Sequence, residues 1–405
     1  MTERFETIIV GAGQAGLAIS YYLSQRKRDH VLLERRSIGE AWRSEKWDSF
    51  TLVSPNWTLQ LPGFAYAGDD PDGFLSRDAV VHYLEDYARL FNPPVRTGIE
   101  VTCLEDGFRV HTNQGMFEAA NVVIATGPFQ KPNIPAFSTK IASHIHQLHS
   151  RQYRNPQALP EGAVLVVGSG QSGCQIAEEL YQQGRKVYLS TGSAIRLPRR
   201  YRGKDIFWWA KELGIFDKTV DKLESPDERF AANPQLTGRD GGRSLNLHQF
   251  ALDGVTLLGR LQDANGTQLS FAADLMDNLA AADKATAQLK QGVDSYIQAT
   301  GMQLPQEEHE PELRAGYDSE VITDLDLDSR GITTVLWATG YTRDFRWIQF
   351  PVFDDSGFPI HQRGVTAQPG LYFVGLPWLY KQKSSLFLGL ADDAAYIVEH
   401  IVNRG

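Results

Sequence analysis

Six residues near the start, Gly11-Ala12-Gly13-Gln14-Ala15-Gly16, and one acid, Glu34, have the types and spacing to hold a dinucleotide. Gly11 permits a tight turn, Gly13 lets the main chain approach a pyrophosphate, and Gly16 lets a helix pack closely on a strand. The helix N-terminus that follows attracts negative phosphate. Glu34 comes after Gly16 at close to the roughly 20-residue spacing of a ribose-binding carboxylate. It can accept hydrogen bonds from both ribose hydroxyls and would repel a 2′-phosphate. A glycine run alone is a weak signal, but here the flanks agree. Apolar Ile8-Ile9-Val10 precedes it, Leu17, Tyr21 and Leu23 follow at helical spacing, and strand-like Val31-Leu32-Leu33 leads into the acid.

The same pattern returns. Ala163 to Val167 leads into Gly168-Ser169-Gly170-Gln171-Ser172-Gly173, then a helix with Ile176, Ala177 and Leu180, then the strand Lys186 to Leu189. Where the first copy carries its acid, the second has Ser190 and Thr191, followed by Arg196, Arg199, Arg200, Arg202 and Lys204. Hydroxyls and guanidinium groups hold a 2′-phosphate, which selects NADPH over NADH. The competing reading is a solvated basic loop. Each copy also ends on a strand running into Ala-Thr-Gly, at Thr126-Gly127 and at Thr339-Gly340.

The elements that must position these turns are legible in outline. A helix over Arg77–Leu90, capped by Ser76 or Asp78, stops at Pro93-Pro94. Glu100–Thr102 and Gly107–Thr112 read as strands. A helix over Phe271–Thr300 has Leu275, Leu279, Leu289, Val293 and Ile297 on one periodic face, read as core, with Gly301 as its stop. The loop from Arg35 to Gly63 is long and rich in Trp, Ser, Asn and Pro, which suits either a functional loop or an aromatic-anchored connector. Tyr201, Phe207, Trp208, Trp209 and Phe216 either roof an apolar pocket or pack as core, and core is favoured.

Composition bounds the function. A length of 405 residues suggests two or three domains, and a net charge of −9 argues against generic binding to nucleic acid or an anionic membrane. Cys103 and Cys174 form no CxxC pair, so a reducing, cytoplasmic setting is expected and a disulfide scaffold is not. No signal peptide is read ahead of the first strand. The apolar stretch Leu371–Leu390 contains Lys381 and Lys383, so no membrane span is expected. His144, His146 and His149 lack acidic or cysteine partners nearby, and no metal site is expected.

Two GxGxxG units joined by Ala-Thr-Gly linkers resemble the class B flavin monooxygenases, which include the flavin-containing monooxygenases, the YUCCA enzymes, and the Baeyer–Villiger and N-hydroxylating enzymes. The resemblance covers most of the chain. It implies an α/β fold of two Rossmann-like dinucleotide-binding domains, an FAD domain interrupted by an NADPH domain with an additional segment in the NADPH half. The expected divisions are 1–157 for the first part of the FAD domain, 158–338 for the NADPH domain with a helical insertion near 208–330, and 339–405 for the returning FAD part.

The family fingerprint FxGxxxHxxx(Y/F/W) is degenerate here. Phe137 is present, its glycine is not, the spacing is longer, and His149 and Tyr153 of HSRQY match its end. Tyr153 in place of Trp disfavours the Baeyer–Villiger branch. The motif reads as a domain-linker device. WATGY, Trp337–Tyr341, resembles the second linker of N-hydroxylating and flavin-containing members.

The resemblance also implies site residues. For FAD these are Gly11, Gly13, Gln14, Ala15, Gly16, Glu34, Arg35, Trp42, Arg43, Val101, Thr126 and Gly127. Ser384, Ser385 and Leu386 open a helix whose positive end faces the flavin pyrimidine. For NADPH they are Gly168, Gly170, Gln171, Ser172, Gly173, Ser190, Thr191, Arg199 and Arg200. Asn56 is the expected catalytic residue, a neutral amide beside the reactive ring, or else an asparagine in a Pro-Asn turn.

The chemistry implied is reduction of FAD by NADPH, reaction with O2 to a C4a-hydroperoxyflavin, and transfer of one oxygen atom to a small organic substrate by N-, S- or carbonyl oxygenation. The expected partners are that substrate and O2, and the oligomeric state stays open, a homodimer included. The alternatives are an NADPH–flavin reductase or oxidase without oxygen insertion, and a non-catalytic flavin binder.

Overall fold

The computed structural model describes residues 2–307 and 312–404. Glu3–Val10 is the central strand of its first sheet. Ile8 and Ile9 are fully buried, as a parallel strand covered on both faces requires. The strand pairs in parallel with His30–Glu34 on one side and Gly115–Ile124 on the other. Val95–Thr97 lies beyond the former and Leu371–Phe373 beyond the latter. A hairpin of His361–Gln362 and Val365–Thr366 closes the far edge. The antiparallel pair Val101–Glu105 and Arg109–Thr112 attaches to Gly115–Ile124.

The second sheet has five parallel strands, ordered His146–His149, Ile332–Trp337, Ala163–Val167, Val187–Ser190 and Thr256–Leu258. Its order matches the first sheet position by position. The strand feeding the glycine turn is flanked by the strand entering Ala-Thr-Gly, and the next parallel strand beyond that comes from outside the unit's own stretch. Leu371–Phe373 arrives after the second linker, and His146–His149 arrives before the second glycine turn. The chain is thus threaded so that each sheet is completed from the other side of the linker.

Two expectations shift here. The second sheet begins at His146, ahead of residue 158, because the polar strand His146–His149 pairs with Thr334–Trp337. The segment 208–330 is more than a helical insertion. Thr256–Leu258 is an edge strand of the main sheet, and Leu261–Asn265, Gln268–Phe271 and Asp324–Asp326 form a separate antiparallel sheet. The long helix therefore starts at Leu275, since Phe271 closes a strand, and it ends at Gly301 in the left-handed region with φ 69°. Leu275, Leu279 and Val293 are buried on its inner face. Tyr201, Trp209 and Val293 share a buried cluster that Phe207 and Trp208 flank, so the aromatic stretch is core.

Helix Arg77–Phe91 is capped by Ser76, whose Oγ accepts from Ala79 N–H at 3.3 Å. The last helix, Phe387–Arg404, packs along Gln14–Gln25. Among the described residues no helix is long and apolar enough to cross a membrane.

Candidate dinucleotide sites

At the first turn Gly11 N–H donates to Leu33 carbonyl at 2.9 Å with φ +106°, and a Cβ there would stand 2.8 Å from Ala125 O. A Cβ on Gly16 would meet Gly11 O at 2.0 Å, so that close approach needs glycine. A Cβ on Gly13 would meet nothing within 4 Å. The space in front of this helix N-terminus is open, as a pyrophosphate requires. Glu34 is buried, and its carboxylate accepts from Ala12 N–H at 2.9 Å and Arg36 N–H at 3.0 Å. Two acceptor positions are thereby spent on the turn, leaving capacity for ribose hydroxyls.

Gln14 gathers the other segments. Its Oε1 accepts from Trp42 Nε1 at 3.1 Å, and its Nε2 donates to Ser385 O at 3.2 Å. Trp42 stacks on Phe387, with centroids 6.0 Å apart. Gly375 lies so close to Ala15 that a Cβ there would stand 2.7 Å from Ala15 Cβ. The N-termini of helices Gln14–Gln25 and Phe387–Arg404 therefore open onto one place, bringing two positive dipole ends together.

Ser384 is buried, and its Oγ accepts from Tyr380 and Lys381 N–H, fixing the turn ahead of Leu386. Thr126 is exposed, and Gly127 beside it takes a left-handed conformation with φ +72°. Val101 stands next to the stretch whose Ile99 N–H donates to Glu34 O at 3.0 Å. Arg35 and Arg43 are engaged elsewhere, Arg35 with Glu45 at 3.2 Å and Arg43 with Glu85 at 2.6 Å. Lys46 has no motif in the sequence to mark it. Its ammonium lies 5.8, 5.4 and 5.3 Å from the ring centroids of Trp42, Phe50 and Phe129, and burial lowers its pKa.

The second turn repeats the first. Gly168 N–H donates to Ser190 carbonyl at 3.0 Å, a Cβ on Gly168 would stand 2.6 Å from Ala338 O, and one on Gly173 1.8 Å from Gly168 O. Gly170 again faces open space. Gln171 Nε2 reaches Pro234 O at 3.4 Å, and Ser172 is half-buried beside it. Since Val10 pairs with Leu33 and Val167 with Ser190, Thr191 stands where the first unit has Glu34.

The side chains expected to read a 2′-phosphate are committed to the framework. Ser190 Oγ donates to Gly259 O at 2.9 Å and accepts from Leu261 N–H at 3.1 Å. Thr191 Oγ1 donates to Leu258 O at 2.8 Å. Arg199 is 3% exposed, pairs with Asp205 at 2.7 Å, donates to Val53 O at 2.6 Å and lies 4.2 Å from the Phe74 ring centroid. Arg200 donates to the carbonyls of Gly241 and Gly242. The cause is the edge strand Thr256–Leu258, whose end supplies carbonyls that nearby hydroxyls satisfy, together with loops that need guanidinium braces. Arg260, invisible as a site residue in the sequence, has neighbours that both bond Ser190. Its side chain is 61% exposed, with Asp274 at 3.9 Å.

Asn56 is likewise a brace. Its Nδ2 donates to Asp70 O at 2.9 Å, its Oδ1 accepts from Leu75 N–H at 2.7 Å, and it is 2% exposed. The amide closes the loop 56–75, which is the turn role set beside its catalytic one. His149 Nε2 donates to Gly340 O at 3.0 Å and its Nδ1 accepts from Arg151 N–H, while burial lowers its pKa. Tyr153 OH donates to Glu179 at 2.8 Å. The pair ties the linker to the second unit. Gln130 latches the two Ala-Thr-Gly exits, donating to Gly127 O and accepting from Asp344 N–H at 2.6 Å.

Residues 8–202 match the pyridine nucleotide-disulphide oxidoreductase family. An uncharacterised CzcO-like oxidoreductase of Geobacillus kaustophilus is 36% identical over 410 residues, covering 100% of both chains. A probable indole-3-pyruvate monooxygenase, YUCCA3 of Arabidopsis thaliana, is 29% identical over 51% of this chain and 50% of its own. Among solved structures, a flavin-containing monooxygenase from Stenotrophomonas maltophilia matches with TM-score 0.66 and 19% identity over 100% of this chain and 99% of its own. With two glycine turns built alike on matched sheets, the chain belongs to the CzcO-like oxidoreductases, and its fold is that of the flavin-containing monooxygenase structure.

Proposed function

We propose that the protein is an NADPH-dependent FAD monooxygenase that places one oxygen atom of O2 on the nitrogen, sulfur or carbonyl group of a small organic substrate. The observation that carries this reading is the asymmetry between two otherwise matching turns, an acid at Glu34 in one and Thr191 in the other. The open space at Gly13 and the buried Glu34 fit the adenosine diphosphate portion of FAD. Bound flavin supplies the redox chemistry and the reaction with O2.

The chain's own residues bind and orient. Glu34 holds the ribose, and the Gln14–Trp42–Ser385 bridge fixes the shape of the cleft. The N-terminus of Phe387–Arg404 stabilises negative charge there. On the second turn the lack of an acid and the half-solvated Arg260 suit a 2′-phosphate. Disulphide exchange is disfavoured, because Cys174 is fully buried with its thiol pushed up by that burial, and no CxxC pair is present.

The test supplies FAD-loaded protein with NADPH and oxygen-18 gas over a panel of aryl methyl sulfides, primary amines and cyclic ketones. Oxygen-18 should appear in at least one product, with less hydrogen peroxide formed than NADPH consumed. Peroxide equal to NADPH across the panel, with no labelled product, would favour a reductase or oxidase.

A further inference from the structure

A cleft of about 600 Å³ lies at the sheet edge made by the hairpin 361–366, and none of its lining residues belongs to either glycine turn. That volume suits a small organic ligand. Its walls come from both parts of the chain, Arg229 from the segment after the second turn and Ile360, His361 and Leu379 from the returning first unit.

Arg363 in its wall is already engaged with Asp392 and Asp393, but three buried polar atoms in and beside the wall lack partners among the described residues. Gly364 N–H donates to His361 Nδ1 at 3.2 Å, so the neutral ring carries its proton on Nε2. Burial and the nearby Arg229 charge hold the His361 pKa down to about 4, which keeps that neutral form in place. His361 Nε2 is buried and, among the described residues, has no hydrogen-bond partner. The same is true of Arg229 Nε and of Arg343 Nε. All three side chains surround one buried ring. Arg229 and Arg343 lie 5.5 and 5.4 Å from the Phe358 centroid, and the His361 ring lies 5.8 Å from it.

The acids nearby do not fill the gap. Asp354 accepts from Ser356 and Phe358 N–H within its own turn, and Asp221 is largely solvated. Buried donors without acceptors call for a partner, and two N–H donors flanked by positive charge call for an oxyanion. Beside them Leu379 is buried and Ile360 is 56% exposed, an apolar flank that a bare inorganic ion would leave unused.

We propose that this cleft binds a small organic acid, its carboxylate accepting from Arg229 and His361 Nε2–H and its apolar body resting on Ile360 and Leu379. The site is independent of the flavin reaction, so its test does not depend on that reading.

Calorimetric titration of the FAD-loaded protein with benzoate, benzamide and inorganic phosphate reads it directly. Benzoate should bind saturably, with benzamide and phosphate each weaker by roughly tenfold or more, the scale of a charge-assisted hydrogen bond. Arg229→Gln and His361→Leu should each weaken benzoate by a similar roughly tenfold factor, whereas Arg96→Gln on a distant surface should not. Absent benzoate binding, equal binding of benzamide, tighter binding of phosphate, or unchanged affinity in Arg229→Gln would each overturn the proposal. Should His361→Leu fail to fold, Arg229→Gln alone decides, because Arg229 lies in a short surface turn.

Discussion

The two glycine turns use the same bonds to different ends. In each, the first glycine N–H meets the carbonyl at the end of the neighbouring strand, and the last glycine packs onto the first. The difference begins one residue later. Glu34 turns its carboxylate back onto its own turn, to Ala12 and Arg36 N–H. Thr191 turns its hydroxyl sideways, to the edge strand at Leu258. One unit thus carries a carboxylate at this position and the other carries a hydroxyl. In the proposed function, backbone geometry sets where a dinucleotide lies and this one side chain sets which is tolerated.

Substitution at the closest backbone approaches should break the comparison most strongly. Gly16→Ala drives a Cβ into Gly11 O, so the protein should purify with little flavin. Gly173→Ala makes the equivalent clash at Gly168 O and should keep its flavin but lose reduction by NADPH. Flavin-to-protein ratio and anaerobic bleaching check the pair. Glu34→Gln removes the charge at the first ribose and should weaken FAD by roughly 10- to 100-fold, the scale of hydrogen bonds to a charged group, as flavin fluorescence on dilution would show. Arg260→Ala should raise KM for NADPH by roughly tenfold, a typical loss for one charge-assisted contact, with NADH use unchanged.

A smaller effect separates scaffold from site. Asn56→Ala strips two backbone groups of a partner and should cost about 1–3 kcal/mol in urea unfolding, while the folded fraction keeps its flavin spectrum.

A last contrast is with pH. His30, His149 and His361 are all held below the ordinary histidine pKa, mainly by burial. The unfolded chain then binds more protons than the folded one, so stability should fall as pH drops from about 7 to 5. Unfolding midpoints across that range check the sign.

The glycine turns, their strands and the two Ala-Thr-Gly exits were readable because each depends on local geometry that few residues can satisfy. The long helix and its buried face were readable from periodicity. What the sequence concealed depends on partners far along the chain. His146–His149 looks polar and irregular until Ile332–Trp337 lies beside it. Thr256–Leu258 is too short to stand out, yet its Leu258 carbonyl and that of Gly259 just beyond it engage the Thr191 and Ser190 hydroxyls. Arg199 has the chemistry of a phosphate ligand and is used instead to join Asp205, Val53 and Phe74. Residue type announces what a group can do, and only the packing shows whether it is free to do it.

In the proposed function the first turn holds flavin and the second delivers hydride from NADPH. Anaerobic rapid mixing of the FAD-loaded protein with NADPH or NADH, following loss of flavin absorbance, tests it most directly. NADPH should bleach the flavin with at least roughly tenfold higher efficiency than NADH, the scale set by one lost phosphate contact. Equal or faster bleaching by NADH, or no bleaching by either, would contradict it.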